Sequence, residues 1–419
     1  MTAWRFFVII MIFCTVGVAW LILGGTIEYR TSDLKTTLSR EVDSLWGPAE
    51  LTQEPPFVTR AVQGHLTSDP VRSEIQVQFD HENRYKGLLW FSTYTVRFSG
   101  SYTVLSHKEG GERFVFRLPP NVPFLESLSV KLDGAQALAD RATPDLAVEL
   151  PPDEKEHIIT VEYQTRGRDR WLYGPAPDAK TTVYLKGFCL TATTNFRDID
   201  YPKGSVSPSK AAEPSDRGMK AAWKFDDYRT RQGIGIEMPA RQNAGPIAAR
   251  MAFYAPVSLF FFYTVMFTII ILKKVPLHPM HYLFISAGFF AFHILMAYLV
   301  DKIGIHEAFW ICAAVSVFLV TSYMRLVAGA RFAILYVGLA QLVYLIGFSY
   351  AFFWTGWTGL TVVIVAIITL FVLMQATGRI DWNEVFRKPP VLPAAPRPSA
   401  PAPPAPPAPP SGTPPAGKV

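Results

Sequence analysis

FAILYVGLAQLVYLIGFSYAFFWTGWTGLTVVIVAIITLFVLMQAT, residues 332–377, contains no Asp, Glu, Lys or Arg. As one α-helix it would be about 70 Å long at about 1.5 Å per residue, whereas the hydrocarbon core of a bilayer is about 30 Å thick. The stretch therefore has to fold back on itself. The predicted reversal is at Trp354-Thr355-Gly356-Trp357, because glycine loosens a helix and tryptophan suits the headgroup boundary. Two spans result, each satisfying its own backbone, since lipid offers amides no partner.

Working outward, four more stretches are long and apolar enough to span. Residues 308–324 lie between Glu307 and Arg325, and residues 281–300 follow Pro279 and end at Asp301-Lys302. Residues 251–272 stop at Lys273-Lys274, with Pro256 tolerable near a helix start because its missing N–H has no partner there. Residues 6–27 run uncharged from Arg5 to Glu28. A cleaved signal peptide is the competing reading of this last stretch. Its length, Trp20 inside it and the lack of an A-x-A type site favour a retained anchor. With six spans and the N-terminus inside, Arg5, Lys273, Lys274, Arg325, Arg331, Arg379, Arg387 and Lys388 fall on one side, and the short loops opposite hold only Lys302. That segregation obeys the positive-inside rule and puts both termini in the cytoplasm.

The segment between the first two spans is then extracytoplasmic. It begins with Leu34, Leu38, Val42 and Leu45 at helical spacing among charges, an amphipathic helix expected to pack on the domain beyond. From about residue 51 the period changes to two, as in IQVQFD (75–80), TYTVRF (93–98), ERFVFRL (112–118), SLSVKLD (127–133), DLAVEL (145–150) and HIITVEY (157–163). TTVYLKGFCL (181–190), MKAAWKF (219–225) and GIGIEMP (233–239) continue it. Short alternating strands between Gly, Pro and Asp turns favour an antiparallel sandwich over an α/β enzyme fold. YPKGSVSPSKAAEPSDRG (201–218) interrupts the pattern and is expected to be a mobile loop. Residues 389–419 hold 14 prolines in 31 positions, the composition of an extended, disordered tail.

The predicted fold class is a membrane protein with six transmembrane α-helices and a large all-β, sandwich-like extracytoplasmic domain. Its parts are an anchor (1–27), a juxtamembrane amphipathic helix (28–47), a β-rich domain (48–250), a five-helix bundle (251–378) and a proline-rich cytoplasmic tail (379–419).

The net charge of +6 forms no run or stripe, so no nucleic-acid partner is indicated; the lipid bilayer accounts for the placement of many cations. Cys14, Cys189 and Cys312 fall at different depths, which predicts no disulfide and a small buried side chain at Cys189. No G-x-S-x-G, H-E-x-x-H or phosphate-binding loop is present, so no catalytic residue, metal site or cofactor is predicted. Asp198 and Asp200 in NFRDID read as turn formers, and His278 with His281 as interfacial packing without a third ligand. His293 is the one ionisable residue deep in a span, and a neutral imidazole bonded to Gln341 or Ser316 on another helix is expected.

Several segments resemble the inner-membrane CreD family of cell envelope integrity proteins. EYRTSDLKTTLSREVDSLWG (28–47) is similar to the family's Glu-Arg start, helical stretch and Trp-Gly end, and HENRYKGLLWFSTYTV (81–96) to its Arg-Tyr-Arg-Gly segment leading into a strand. HPMHYLFISAGFFAFHILMAYLVDKIG (278–304) resembles its His-Pro-x-x-Tyr-Leu opening and the span that ends in a polar cap before Ile-Gly, and GRIDW (378–382) its closing Arg-x-x-Asp-Trp. Departures are visible: the family's Ser-x-Ser-Glu-His cap is replaced by Tyr298 to Lys302, His293 stands at an apolar or aromatic position, and the proline tail is an addition. The resemblance implies a multi-pass inner-membrane protein with a periplasmic domain, linked to envelope stress, envelope integrity and colicin tolerance, under two-component control in some bacteria, without established enzymatic activity. An envelope protein or cell-wall component is the implied partner of the domain. Arg84, Tyr85 and Gly87 in the domain, and Pro279, Tyr282, His293, Asp301 and Trp382 in or bordering the bundle, are the candidate functional or structural residues. Two rival functions each predict a feature: a lipid or small-molecule transporter needs a path past His293, and a ligand-binding module needs an aromatic-lined pocket on the β domain.

Overall fold

In the computed structural model, which describes residues 3–60, 66–108, 111–137, 145–175, 182–354 and 356–378, the anchor and the amphipathic segment form one uninterrupted helix, α1 (Ala3–Leu45). At 43 residues it is about 65 Å long, twice the hydrocarbon thickness, so its second half stands clear of the bilayer. The outer half buries a stripe: Leu34, Leu38 and Val42 pack with Trp46, Leu89 and Phe91 in a small separate core. Leu45, expected on the same stripe, is instead exposed, because the helix ends there and Trp46 takes over the contact.

Leu89 and Phe91 belong to a hairpin of two long strands, Arg72–Lys86 and Leu89–Leu105, whose tip reaches back to α1. The turn is two residues, Gly87-Leu88, with Gly87 at φ +63°, the conformation that a tight hairpin turn demands at its first position and glycine supplies at least cost. A side chain at this glycine would also press on Leu38.

The hairpin is central in an eight-stranded sheet, beside which lie a four-stranded and a three-stranded sheet. Alternation buries one face of each long strand, with Ile75, Val77 and Phe79 meeting Tyr94, Val96 and Phe98 in the main β core. The antiparallel expectation needs correction. Val183–Thr194 pairs with the Arg72–Lys86 strand in parallel, and Glu50–Gln53 pairs in parallel with Arg170–Tyr173. Alternation reports which face is covered and carries no information about the direction of the neighbouring strand.

The expectation of a mobile loop at 201–218 is also corrected. Val206 accepts from Trp223 Nε1 at 2.8 Å, Ser209 N donates to Ala222 at 2.9 Å, and Glu213–Pro214 pairs with the Met219–Thr230 strand. Proline and glycine suit this segment to an edge position, where half the backbone need not pair. Cys189, expected to be buried, is half-buried.

The bundle continues with α2 (Ala244–Lys273), α3 (Pro279–Leu299), α4 (Ile305–Ala328), α5 (Ala330–Phe353) and α6 (Thr358–Thr377). With α1 this makes, among the described residues, six helices long and apolar enough to cross a membrane, the number expected. The turn between α5 and α6 contains Trp354, Gly356 at φ +84° and Trp357, where the reversal was predicted. Helix α1 meets α2 through Phe6–Phe267 and Phe13–Phe260, an antiparallel pairing, and α3 through Trp20–His293 and then Arg30 at the end of α3, a parallel one. Lys273, Lys274, Arg325 and Arg331 thus lie at the bundle end away from the β domain. Arg379, Arg387, Lys388, Trp382 and the proline-rich segment lie outside the described residues.

The last turn of α1 is fixed to the domain by Arg168, whose side chain is 4% exposed and whose Nε and Nη2 reach Asp43 Oδ1 at 2.8 and 2.7 Å. Removing one partner leaves a buried guanidinium short of its charged acceptor. Asp43→Ala is expected to lower stability by about 2 kcal/mol, read as a drop in the thermal unfolding midpoint of the purified protein. Glu41→Ala on the same helix, where a more exposed pair with Lys86 is lost, should cost less than about 1 kcal/mol.

Candidate functional site

Where the β domain meets the bundle, four elements converge. Arg30, on α1 just beyond the anchor stretch, donates from Nη2 to Asp301 Oδ2 at 2.8 Å and to the Ala297 carbonyl at 3.0 Å, closing the end of α3. Asn243, the residue before α2, accepts from Trp90 N at 2.7 Å and donates to the Trp90 carbonyl at 3.3 Å. Its amide acts as an extra strand partner for the hairpin, so the start of α2 and the tip of the hairpin are held together. Arg241 lies over the Trp90 ring at 4.2 Å, and Tyr85 packs on the same indole at 5.0 Å. On the other side of the hairpin, the Arg84 and Arg166 guanidiniums approach the Trp46 ring at 3.8 and 4.6 Å, a contact favoured by the electron-rich face of the indole.

These contacts border a cleft of about 350 Å³, open beside the ends of the helices and lined by Tyr85, Leu88, Trp90, Arg241, Val300, Asp301, Lys302 and Ile303 among others. Of the residues singled out in the sequence, Tyr85 and Asp301 come together here. Arg84 stacks nearby and pairs with Glu82 at 2.9 Å, and Gly87 shapes the turn. Pro279 is the first residue of α3, capped by His278 through Met280 N, at the opposite end of the bundle. Tyr282 is buried there against Tyr263, whose hydroxyl bonds the Tyr282 carbonyl and Ser286. Trp382 lies outside the described residues. Arg30, Trp90, Arg241 and Asn243 were not singled out. Their signal was positional, since Arg30 follows the first apolar stretch and Arg241 and Asn243 precede the second.

His293 does not bond Gln341 or Ser316, which corrects the expectation. Its Nδ1 faces the Phe289 carbonyl of its own helix at 3.0 Å, and its ring is packed among Trp20 and Phe292. Gln341 and Ser316 bond each other instead, Nε2 to Oγ at 2.9 Å, and Ser316 donates to the Gly288 carbonyl at 2.7 Å. Gln341 sits between two widened π turns of α5, Ala333–Gly338 and Leu342–Gly347. Such turns change carbonyl pairing, and the Tyr344 carbonyl takes the Ser258 hydroxyl from α2. Helical periodicity alone gives no sign of these turns.

On the exposed face of the large sheet is a second cleft of about 540 Å³, lined by Gln76, Gln78, Arg97, Thr191, Arg217 and Lys220 among others, with no aromatic residue in its lining. Asp80 lies 3.5 Å from Arg97 and 4.0 Å from Arg217. At the domain end remote from α1, His157 is buried between two carboxylates, Nδ1 to Asp133 at 2.7 Å and Nε2 to Asp153 at 2.9 Å. Hydrogen bonding to Asp133, then to Asp153, raises the imidazole above its ordinary 6.5 against the effect of burial. The hydrogen bond from His157 holds Asp133 low and, with Ser106, holds Asp153 at about 2. The expectation of turn formers at Asp198 and Asp200 needs correction: Asp200 bridges Glu237 as an isolated antiparallel pair, its carbonyl accepting from Glu237 N at 2.9 Å and its side chain from Tyr201 N at 2.8 Å. His278 and His281 take separate partners, the latter bonding Tyr323 at 2.7 Å. Among the described residues no group of three or more His, Cys, Asp or Glu is arranged to hold a metal.

These features define a polytopic membrane protein with a β domain seated on its helices. Residues 210–383 match the family model described as inner membrane protein CreD, which bears out the resemblance read from the sequence over that part of the chain. No curated protein matches. Among solved structures, a mutant M1 zinc metallopeptidase from Deinococcus radiodurans bound to a Tyr-Ser-Ala substrate aligns at 9% identity with a TM-score of 0.20, covering 40% of this chain and 41% of that chain. The chain thus spans about two fifths of that structure's length, and a likeness of that score carries no argument.

The His157 cluster has a definite pH signature. A raised imidazole stabilises fully below its unfolded value near 6.5 and loses that contribution as pH climbs through the folded value; depressed carboxylates stabilise above about 4 and lose theirs as pH falls through the folded values. The thermal midpoint should therefore be highest between about pH 4 and 6.5, and His157→Gln should flatten the alkaline limb of the profile.

Proposed function

We propose that the chain is a non-enzymatic inner-membrane protein of CreD type, with both termini cytoplasmic, whose β domain stands in the periplasm and contributes to envelope integrity by holding an envelope component on its exposed sheet face. The observation that carries this reading is the polar cleft of Gln76, Gln78, Arg97, Thr191, Arg217 and Lys220, a hydrogen-bonding surface on a domain fixed to the membrane whose three cations exceed its one lining acid, Asp216, with Asp80 beside Arg97 and Arg217. Its chemistry suits an acidic protein surface. Sidedness is supported by Lys273, Lys274, Arg325 and Arg331 at the far end of the bundle.

The rivals find less support. His293 is 3% exposed and packed among aromatic rings, which suits a structural histidine better than a transport path. The sheet cleft lacks the aromatic lining that a ligand-binding module needs, and its polar surface suits an acidic protein surface better than a sugar. In a Gram-negative strain lacking its own copy, the wild-type chain is expected to restore growth on detergent. The triple variant Arg97→Glu, Arg217→Glu, Lys220→Glu should lower survival about tenfold or more at unchanged membrane level. Full rescue by that variant would contradict the assignment of the cleft.

A further inference from the structure

We propose that the cleft between the hairpin tip and the α3–α4 turn binds the phosphate headgroup of an anionic phospholipid from the leaflet on the β-domain side. Its position is set by the helices: Ala244 opens α2, Val300 follows α3 and Ile305 opens α4, and all three line it. The cleft therefore lies where the spans meet the headgroup layer.

Charge is the second argument. Arg241 and Lys302 are exposed and make no ion pair among the described residues, while Asp301, the one acid in the lining, is paired with Arg30 at 2.8 Å. The lining thus carries two uncompensated cations. Helix α2 begins here without a side-chain cap, which adds partial positive charge in the same place. Glu307, in the first turn of α4, is outside the lining, but its carboxylate lies against Gly304 and offsets the positive end of that helix, so the positive charge of the cleft rests on Arg241 and Lys302.

The remaining lining decides between a lipid and a free phosphate. Leu88, Val300, Ile303 and Ile305 form an apolar wall, and Trp90 and Tyr85 supply rings of the kind that settle at the membrane boundary. A small soluble anion has no use for that wall, whereas the glycerol and first acyl carbons of a lipid do. A volume of about 350 Å³ is at the small end of ligand pockets, in keeping with a headgroup whose tails remain in the bilayer.

The test uses the full-length protein, delipidated in a mild non-ionic detergent and titrated with phosphatidylglycerol or phosphatidylcholine, with bound lipid counted by native mass spectrometry. Wild type is expected to retain one phosphatidylglycerol more tightly than phosphatidylcholine, and Arg241→Gln with Lys302→Gln to weaken it about tenfold. Lys273→Gln with Lys274→Gln, at the opposite end, should leave that site unchanged. Equal retention by wild type and the Arg241/Lys302 variant overturns the proposal, as does displacement of the lipid by saturating inorganic phosphate. Should the double variant unfold, Lys302→Ala alone, in an exposed turn, gives the same readout with a smaller loss. The assay reads lipid directly and is independent of any envelope phenotype.

Discussion

Helix α1 is too long for the membrane it enters, and the structure is organised around that excess. About half of its 43 residues remain in water, where an isolated helix of that length is marginal. The outer half is stabilised by burying Leu34, Leu38 and Val42 under the hairpin tip and by the Asp43–Arg168 pair. Burial of a large aliphatic or aromatic side chain contributes about 1.5–3 kcal/mol, so this small core outweighs the fraying tendency of the helix. The hairpin in turn has to be long, since its base is in the sheet core and its tip is at the lipid boundary.

Two further ties make the seat specific. Arg30 joins α1 to the end of α3, and Asn243 joins the start of α2 to Trp90. Each link uses a polar group at the depth where water gives way to lipid, where an unsatisfied partner would be costly. Within the bundle the same economy holds. Ser258, Ser316 and Tyr263 use hydroxyls to satisfy carbonyls of neighbouring helices, the pattern expected where apolar side chains gain nothing by leaving lipid for protein.

The number of spans and the reversal near Gly356 were legible in the sequence because length and hydropathy are local properties. Strand positions such as Ile75 to Phe79 were legible for the same reason. The parallel pairing of Val183–Thr194 with the Arg72–Lys86 strand was not, since alternation is the same for either direction. Nor was the order in residues 201–218, whose contacts to Ala222 and Trp223 are made by backbone groups that any sequence carries. Tyr85 and Asp301 were visible individually as boundary residues. Their meeting in one cleft depends on the hairpin bending back to the membrane, more than two hundred positions away in sequence. His293 pointed to the bundle's polar interior, but Gln341 gives its Nε2 to Ser316, and His293 Nδ1 turns to its own helix while its Nε2 and Gln341 Oε1 stay buried without a partner among the described residues.

The central claim is that the β domain is seated on the bundle as one rigid unit. It is tested most directly by pulsed electron spin distance measurement between labels at Glu156, at the remote end of the domain, and Lys274, at the far end of the bundle, in a variant whose native cysteines are replaced by serine. The account predicts one narrow distance distribution in lipid nanodiscs, broadened when Arg30 and Asn243 are both replaced by alanine. A broad distribution in the otherwise native background, unchanged by those replacements, would contradict it.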